Sequence, residues 1–120
     1  MADIIMTTTN LPENIVRVNL KGILNGTTTE EFEENITKLF DGNIFRLIFD
    51  MSELTMITSS GIGALIKIIA TCKEHHGNIV IVQPQRSVEE SSTIFGLFNF
   101  VPLAKDINEA VRTILSPPRK

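Results

Sequence analysis

Three hydroxyl side chains followed by two spaced glycines, Thr58-Ser59-Ser60-Gly61-Ile62-Gly63, form the stretch of this chain best suited to chemistry. They stand between a strand-like run, Phe45 to Met51, and an apolar-periodic run beginning at Ile62, so the spacing predicts exposed hydroxyls at the start of a helix. The first N–H groups of a helix lack internal acceptors, and the macrodipole adds partial positive charge there. A phosphate, bound or covalently attached, suits such a place. The competing reading is plain capping of the helix by one hydroxyl, worth about 1 kcal/mol. Gly63 argues against capping alone, because a glycine just inside a helix costs about 1 kcal/mol relative to alanine and implies a close approach to its backbone. With Ile62, Leu65, Ile66 and Ile69 turned toward a sheet, the other face carries Gly63, Ala64, Lys67, Ala70 and Thr71. That small, weakly polar surface beside the hydroxyls is either a docking face or an ordinary solvent face.

The elements that must position this turn follow from periodicity. Val16, Val18 and Leu20 alternate with Arg17, Asn19 and Lys21, the pattern of a half-buried strand. The preceding Thr7-Thr8-Thr9-Asn10 reads as a polar segment, and Gly22 and Asn25-Gly26 supply turn chemistry. Thr28 and Glu31 have capping-box spacing before a helix carrying Phe32, Ile36, Leu39 and Phe40, which ends at Asp41-Gly42-Asn43. Phe45 to Phe49 is almost continuously apolar, as in a strand covered on both faces, and Asp50 marks its carboxyl end. The helix after Ser60 runs to Gly77 as C-cap, and Ile79 to Val82 forms another buried strand. Ser87 and Glu90 open a third helix carrying Val88, Ile94 and Phe95, Phe98 to Leu103 suggests an edge strand, and Ile107 to Leu115 a terminal helix before a fraying Pro117 to Lys120. Strands alternating with helices imply an α/β fold with right-handed crossovers onto a mostly parallel sheet.

Composition bounds the rest. At 120 residues, 42% hydrophobic and 21% charged, the chain suits one domain spanning residues 1–120. A net charge of -3 and scattered cations exclude a phosphate-backbone binder, so nucleic acid is not an expected partner. No apolar run reaches the roughly 20 residues of a membrane span, and the Met1-Ala2-Asp3 start has no signal-peptide pattern, which predicts a cytoplasmic protein without a membrane partner. A single cysteine, Cys72, fits a reducing compartment, and seven Phe without Trp or Tyr read as core filler.

The arrangement of a strand, Asp50-Met51-Ser52, and then Met56-Ile57-Thr58-Ser59-Ser60-Gly61-Ile62-Gly63 resembles the signature of STAS domains of the anti-sigma factor antagonist family. Gly22-Ile23-Leu24-Asn25 resembles that family's turn before the first helix, and Gly96-Leu97-Phe98 through Ala104, with Asn108-Glu109-Ala110, resembles its carboxyl-terminal segment. The resemblance implies a STAS fold, a mixed, mostly parallel sheet of about four to five strands flanked by about four helices. It also implies a non-enzymatic switch without cofactor or metal. In that family the unphosphorylated antagonist binds an anti-sigma factor that is also a serine kinase, freeing a sigma factor; phosphorylation releases the antagonist, and a phosphatase restores it. Carried onto this chain, the acceptor is Ser59, with Ser60 and Thr58 as lesser candidates. The partner-binding set is Asn25, Thr58, Ser59, Ser60, Gly61, Gly63, Ala64 and Lys67. Thr58 and Asn25 stand where the family usually carries aspartate, which removes negative charge near the docking face. The alternative is a STAS-type interaction or scaffold module that is never phosphorylated.

Other chemistries fit less well. Asp50 lacks the acidic pair that would hold Mg²⁺ in a receiver domain and is better suited to accepting loop N–H bonds at the mouth of the site. No G-x-G-x-x-G or Gly-Lys-Ser/Thr fingerprint supports a nucleotide, and a flavin would find no Tyr or Trp to stack on. Cys72, His75 and His76 are too few for a closed zinc site without carboxylates, and read as a core thiol and two imidazoles near a helix carboxyl end. Neither histidine is tied to Ser59 as a catalytic base.

Overall fold

The computed structural model describes residues 3–116. The elements run β1 (Ile4–Leu11), β2 (Ile15–Leu24), α1 (Thr29–Asp41), β3 (Arg46–Ile57), α2 (Ser59–Glu74), β4 (Asn78–Val82), α3 (Arg86–Ile94), a 3-10 turn (Leu97–Asn99), β5 (Leu103–Ala104) and α4 (Ile107–Leu115). Strand order in the sheet equals chain order, β1-β2-β3-β4-β5. Among the described residues only β1 is antiparallel to its neighbour, so the sheet is mixed and mostly parallel, as expected.

Sequential parallel strands joined by crossovers of one hand must place every crossover helix on one face. Phe32 and Ile36 of α1, the apolar stripe of α2 and Val88 of α3 accordingly share one core with Val18, Leu47, Phe49 and Ile81. α4 follows the last strand and covers the opposite face, where Ala110 and Ile114 pack on Ile15, Ile48, Val80 and Val82. The alternation Leu47-Ile48-Phe49 thus serves two cores, which is why the strand is apolar at every position.

Several expectations need correction. Thr7-Thr8-Thr9, read only as a polar segment, lies within a strand: β1 is an edge, so its side chains can stay in water. Asp50 does not end its strand; β3 continues to Ile57, with Leu54 and Ile57 buried. Gly22 lies inside β2 rather than in a turn. Its φ of 110° and the Asp3 carbonyl oxygen, which stands where a Cβ would point, both require glycine, and the β2–β3 register shifts there. At the end of α2 the left-handed residue is His76, while Gly77 donates its N–H to the Cys72 carbonyl at 2.7 Å. Gln85 rather than Ser87 precedes α3, and Ile94 and Phe95 are 78% and 50% exposed rather than core. The edge strand near Phe98–Leu103 shrinks to Leu103–Ala104 behind the 3-10 turn. The fraying assigned to Pro117–Lys120 lies outside the described residues.

Candidate functional site

Thr58 ends the strand run and opens α2. Its backbone is extended (φ -108°, ψ 176°), its N–H donates to the Leu24 carbonyl at 3.1 Å, and its own carbonyl accepts the first helical bond from Ile62 at 2.9 Å. Its hydroxyl caps nothing; Oγ1 is buried without a hydrogen-bond partner among the described residues. The simple capping reading therefore fails for Thr58. Ser59 and Ser60 follow as the first helical residues, both exposed, over N–H groups that have no intrahelical acceptor. No acidic residue sits in this first turn.

The β2–α1 turn lies against them. A Cβ on Gly26 would stand 3.6 Å from the Ser60 hydroxyl oxygen. Asn25 holds this turn together from within: its Oδ1 accepts from the Thr27 N–H at 2.9 Å, the Thr27 hydroxyl at 2.8 Å and the Thr28 N–H at 3.2 Å. Thr28 accepts from the Asn25 N–H and donates to the Ile23 carbonyl, each at 2.9 Å, so its side chain wires the turn instead of forming the expected capping box. A neutral amide at position 25 performs the accepting role of a carboxylate without its charge.

The close approach assigned to Gly63 from sequence belongs to Gly61. Nothing lies within 4 Å of a Cβ at Gly63, which is exposed. At Gly61 a Cβ would meet the Leu24 carbonyl oxygen at 2.6 Å and two side chains at 3.0 Å, so Gly61 is the residue that permits close approach. Ala64 is also turned inward, only 5% exposed, contrary to the flat outer face drawn from the helical pattern. Ser60, Gly63, Lys67 and Ala70 make up the outer stripe. Lys67 pairs with Glu33 of α1 at 2.9 Å across a cleft of about 290 Å³ lined by Ile36, Thr37, Phe40 and Thr71. Sequence reasoning gave Leu24 no role beyond its place in the Gly22–Asn25 turn and did not point to Glu33; nothing in their spacing marks them.

The remaining polar residues stand apart. Asp50 alternates with Phe49 and faces the α4 side of the sheet, where it pairs with Arg17 and accepts the Ser52 N–H at 2.9 Å. It is 4% exposed. Burial alone would raise its pKa, but the bonds from Arg17 and Ser52 outweigh it and hold the carboxyl below its usual value. It belongs to a structural ion pair rather than to the mouth of the site. Cys72 is buried in the core, and burial pushes its thiol up to about 12. The His75 ring stacks on Phe45 with centroids 4.1 Å apart, at the opposite end of α2 from Ser59. No described helix is long and apolar enough to cross a membrane.

A sheet with crossover helices on one face, and a hydroxyl-bearing helix start set against the neighbouring turn, define a STAS domain. The STAS domain family model matches residues 7–110, and the chain belongs to that family. Among curated relatives, a candidate anti-sigma factor antagonist, BtrV of Bordetella bronchiseptica, is 24% identical over 85 residues, 71% of this chain and 73% of the relative. Among solved structures, the anti-sigma factor antagonist SpoIIAA in its unphosphorylated form superposes with a TM-score of 0.76 at 22% identity, over 93% of this chain and 100% of that one. The Bacillus cell fate determinant SpoIIAA in its phosphorylated form gives 0.69 at 19% identity, over 92% and 99%.

Proposed function

We propose that this chain is an anti-sigma factor antagonist switched by phosphorylation of Ser59. Unphosphorylated, it docks an anti-sigma factor that is also its serine kinase, through the Asn25–Gly26 turn, Thr58 to Gly61 and the outer stripe of α2 with Gly63 and Lys67. Docking frees a sigma factor; phosphorylation ends docking and a phosphatase reverses it. No enzymatic chemistry or cofactor is assigned to the antagonist itself. The observation that carries this reading is the exposure of Ser59 as the first residue of α2, on uncapped N–H groups with no acid in the turn. The relatives named for anti-sigma antagonism, one solved in both phosphorylation states, support it.

The switch follows from local electrostatics. A phosphoryl group adds about -1.5 to -2 charges, which the helix start tolerates, so the domain stays folded. Against a docked partner the same group brings bulk and an unpaired charge, at a cost of about 2–5 kcal/mol, or on the order of 30- to 3,000-fold in affinity. Incubation with the cognate anti-sigma kinase and ATP, followed by mass spectrometry, should place one phosphate on Ser59 and none on Ser59→Ala. Unchanged modification of Ser59→Ala would move the acceptor to Ser60 or Thr58; no modification at all would favour the unregulated interaction module. Ser59→Asp should fold normally and lose partner binding.

A further inference from the structure

We propose that the free edge of β1 is a self-association surface, on which a second copy of this chain pairs its own β1 antiparallel, with Thr7 opposite Thr7. β1 is the outermost strand, and no described element pairs with its far side. Soluble proteins blunt such edges with short strands, Lys, Pro or bulges. Here the other edge is blunt, β5 being Leu103–Ala104 alone. β1 has none of these devices: Ile-Ile-Met-Thr-Thr-Thr-Asn-Leu carries no charge and no proline, and its register to β2 runs unbroken from Ile4↔Gly22 to Leu11↔Ile15.

The hydrogen-bond parity fixes which groups are free. The Asp3 carbonyl accepts the N–H of Ile23, the residue opposite it in this register. Alternation along the antiparallel ladder then turns Thr7 and Thr9 toward β2, and sends the N–H and C=O of Ile4, Met6, Thr8 and Asn10 outward. A two-fold pairing must join outward residues to outward residues, and the one that uses the whole strand sets Met6 opposite Thr8 and Ile4 opposite Asn10. Thr7 then faces Thr7 as a non-hydrogen-bonded pair, and Ile5, 55% exposed, faces Thr9. Asp3 falls opposite Leu11, so no charge meets its like. Strand addition by a foreign peptide draws specificity from pockets for alternate side chains; the exposed Thr7, Thr8 and Thr9 offer none, whereas they match an identical strand. A second copy is therefore the occupant. Its two-fold axis stands normal to the sheet, so the two α2 starts point in opposite directions and both Thr58–Gly63 turns stay open. A contact of strands alone lies at the small end of interfaces, which gives a weak dimer.

The test is sedimentation velocity on the full chain up to about 1 mM, with a cysteine pair as register probe. Thr7→Cys should form an intermolecular disulfide under mild oxidation, since Cys72 is buried and the facing Cα atoms are about 4.5 Å apart. Ile5→Cys should not, because its copies lie about 14 Å apart, beyond the roughly 7 Å limit for a disulfide. Thr8→Pro removes an outward N–H, leaves the β1–β2 ladder intact and should abolish the dimer with an unchanged circular dichroism spectrum. A parent chain that stays monomeric, or equal cross-linking of Thr7→Cys and Ile5→Cys, overturns the proposal.

Discussion

The carbonyl oxygen of Leu24 lies 2.6 Å from where the Cβ of any other residue at Gly61 would begin. The end of β2 thereby sits against the first turn of α2, and the same carbonyl accepts the Thr58 N–H. Gly61→Ala should cost about 1–3 kcal/mol by forcing these backbones apart. Gly63→Ala, with open space around it, should instead stabilise by about 0.5–1 kcal/mol through helix propensity. Urea midpoints of the two variants give the answer, and equal shifts would refute the assignment of close approach to Gly61. If Gly63 lies in the docking face as proposed, the stabilised variant should also bind its partner more weakly.

Thr58 occupies an N-cap position in extended conformation while its hydroxyl goes unused. An aspartate there can accept the free N–H groups of the first turn and interact with the positive helix end. Thr58→Asp should raise stability by about 1 kcal/mol, or about 3–5 °C in Tm for a chain of this size. Calorimetry at pH 7 checks it; an unchanged or lowered Tm would mean that the buried hydroxyl is better suited to its site than the N-cap geometry suggests.

The Arg17–Asp50 pair predicts an acid limb of instability. Because the folded carboxyl titrates below its usual 3.8, the pair stabilises fully above that value, and the contribution is lost as pH falls through the lower folded value. Asp50→Asn should cost about 1–3 kcal/mol at pH 7, less than for a fully buried pair because the Arg17 side chain is 33% exposed. The gap between variant and parent should narrow from about pH 5 toward pH 2, since the parent loses its carboxylate there while the amide has none to lose. A gap that stays constant across that range would show that Asp50 acts through packing alone.

The thiol of Cys72, fully enclosed and pushed up to about 12, should be inert to aromatic disulfide reagents at pH 8 in the folded protein. It should react fully in urea. Its rate in water then reports how often the α2 core opens. Rapid labelling of the native protein would contradict its burial.

Much of this architecture was legible because its periodicities are clean. Leu47 to Phe49 and Ile79 to Val82 read as doubly covered strands, since a parallel sheet between two helical layers admits no polar alternation. β1 was not legible, because an edge strand can present three consecutive threonines to water and buries little besides Ile4 and parts of Met6 and Leu11. At the site, the position of Ser59 followed from local signals alone. Which glycine is crowded did not, because Leu24 is far from Gly61 in sequence and only the meeting of β2 with α2 brings its carbonyl there. Ala64 was misplaced for a related reason: a small residue beside the apolar stripe suits either side of it, and packing decides.

Strand order that repeats chain order has a consequence for the way the molecule is made. Each new strand adds to the edge left by the one before, so contacts can close in the order of synthesis, without waiting for distant segments. Every group in the proposed docking site, from Asn25 to Lys67, precedes β4, β5 and α4 in the chain. α4 comes after all of them and packs on Ile48 and Val80 from the other face of the sheet. Damage to α4 should therefore be felt as a shorter lifetime of the protein in the cell rather than as weaker binding at the proposed docking site.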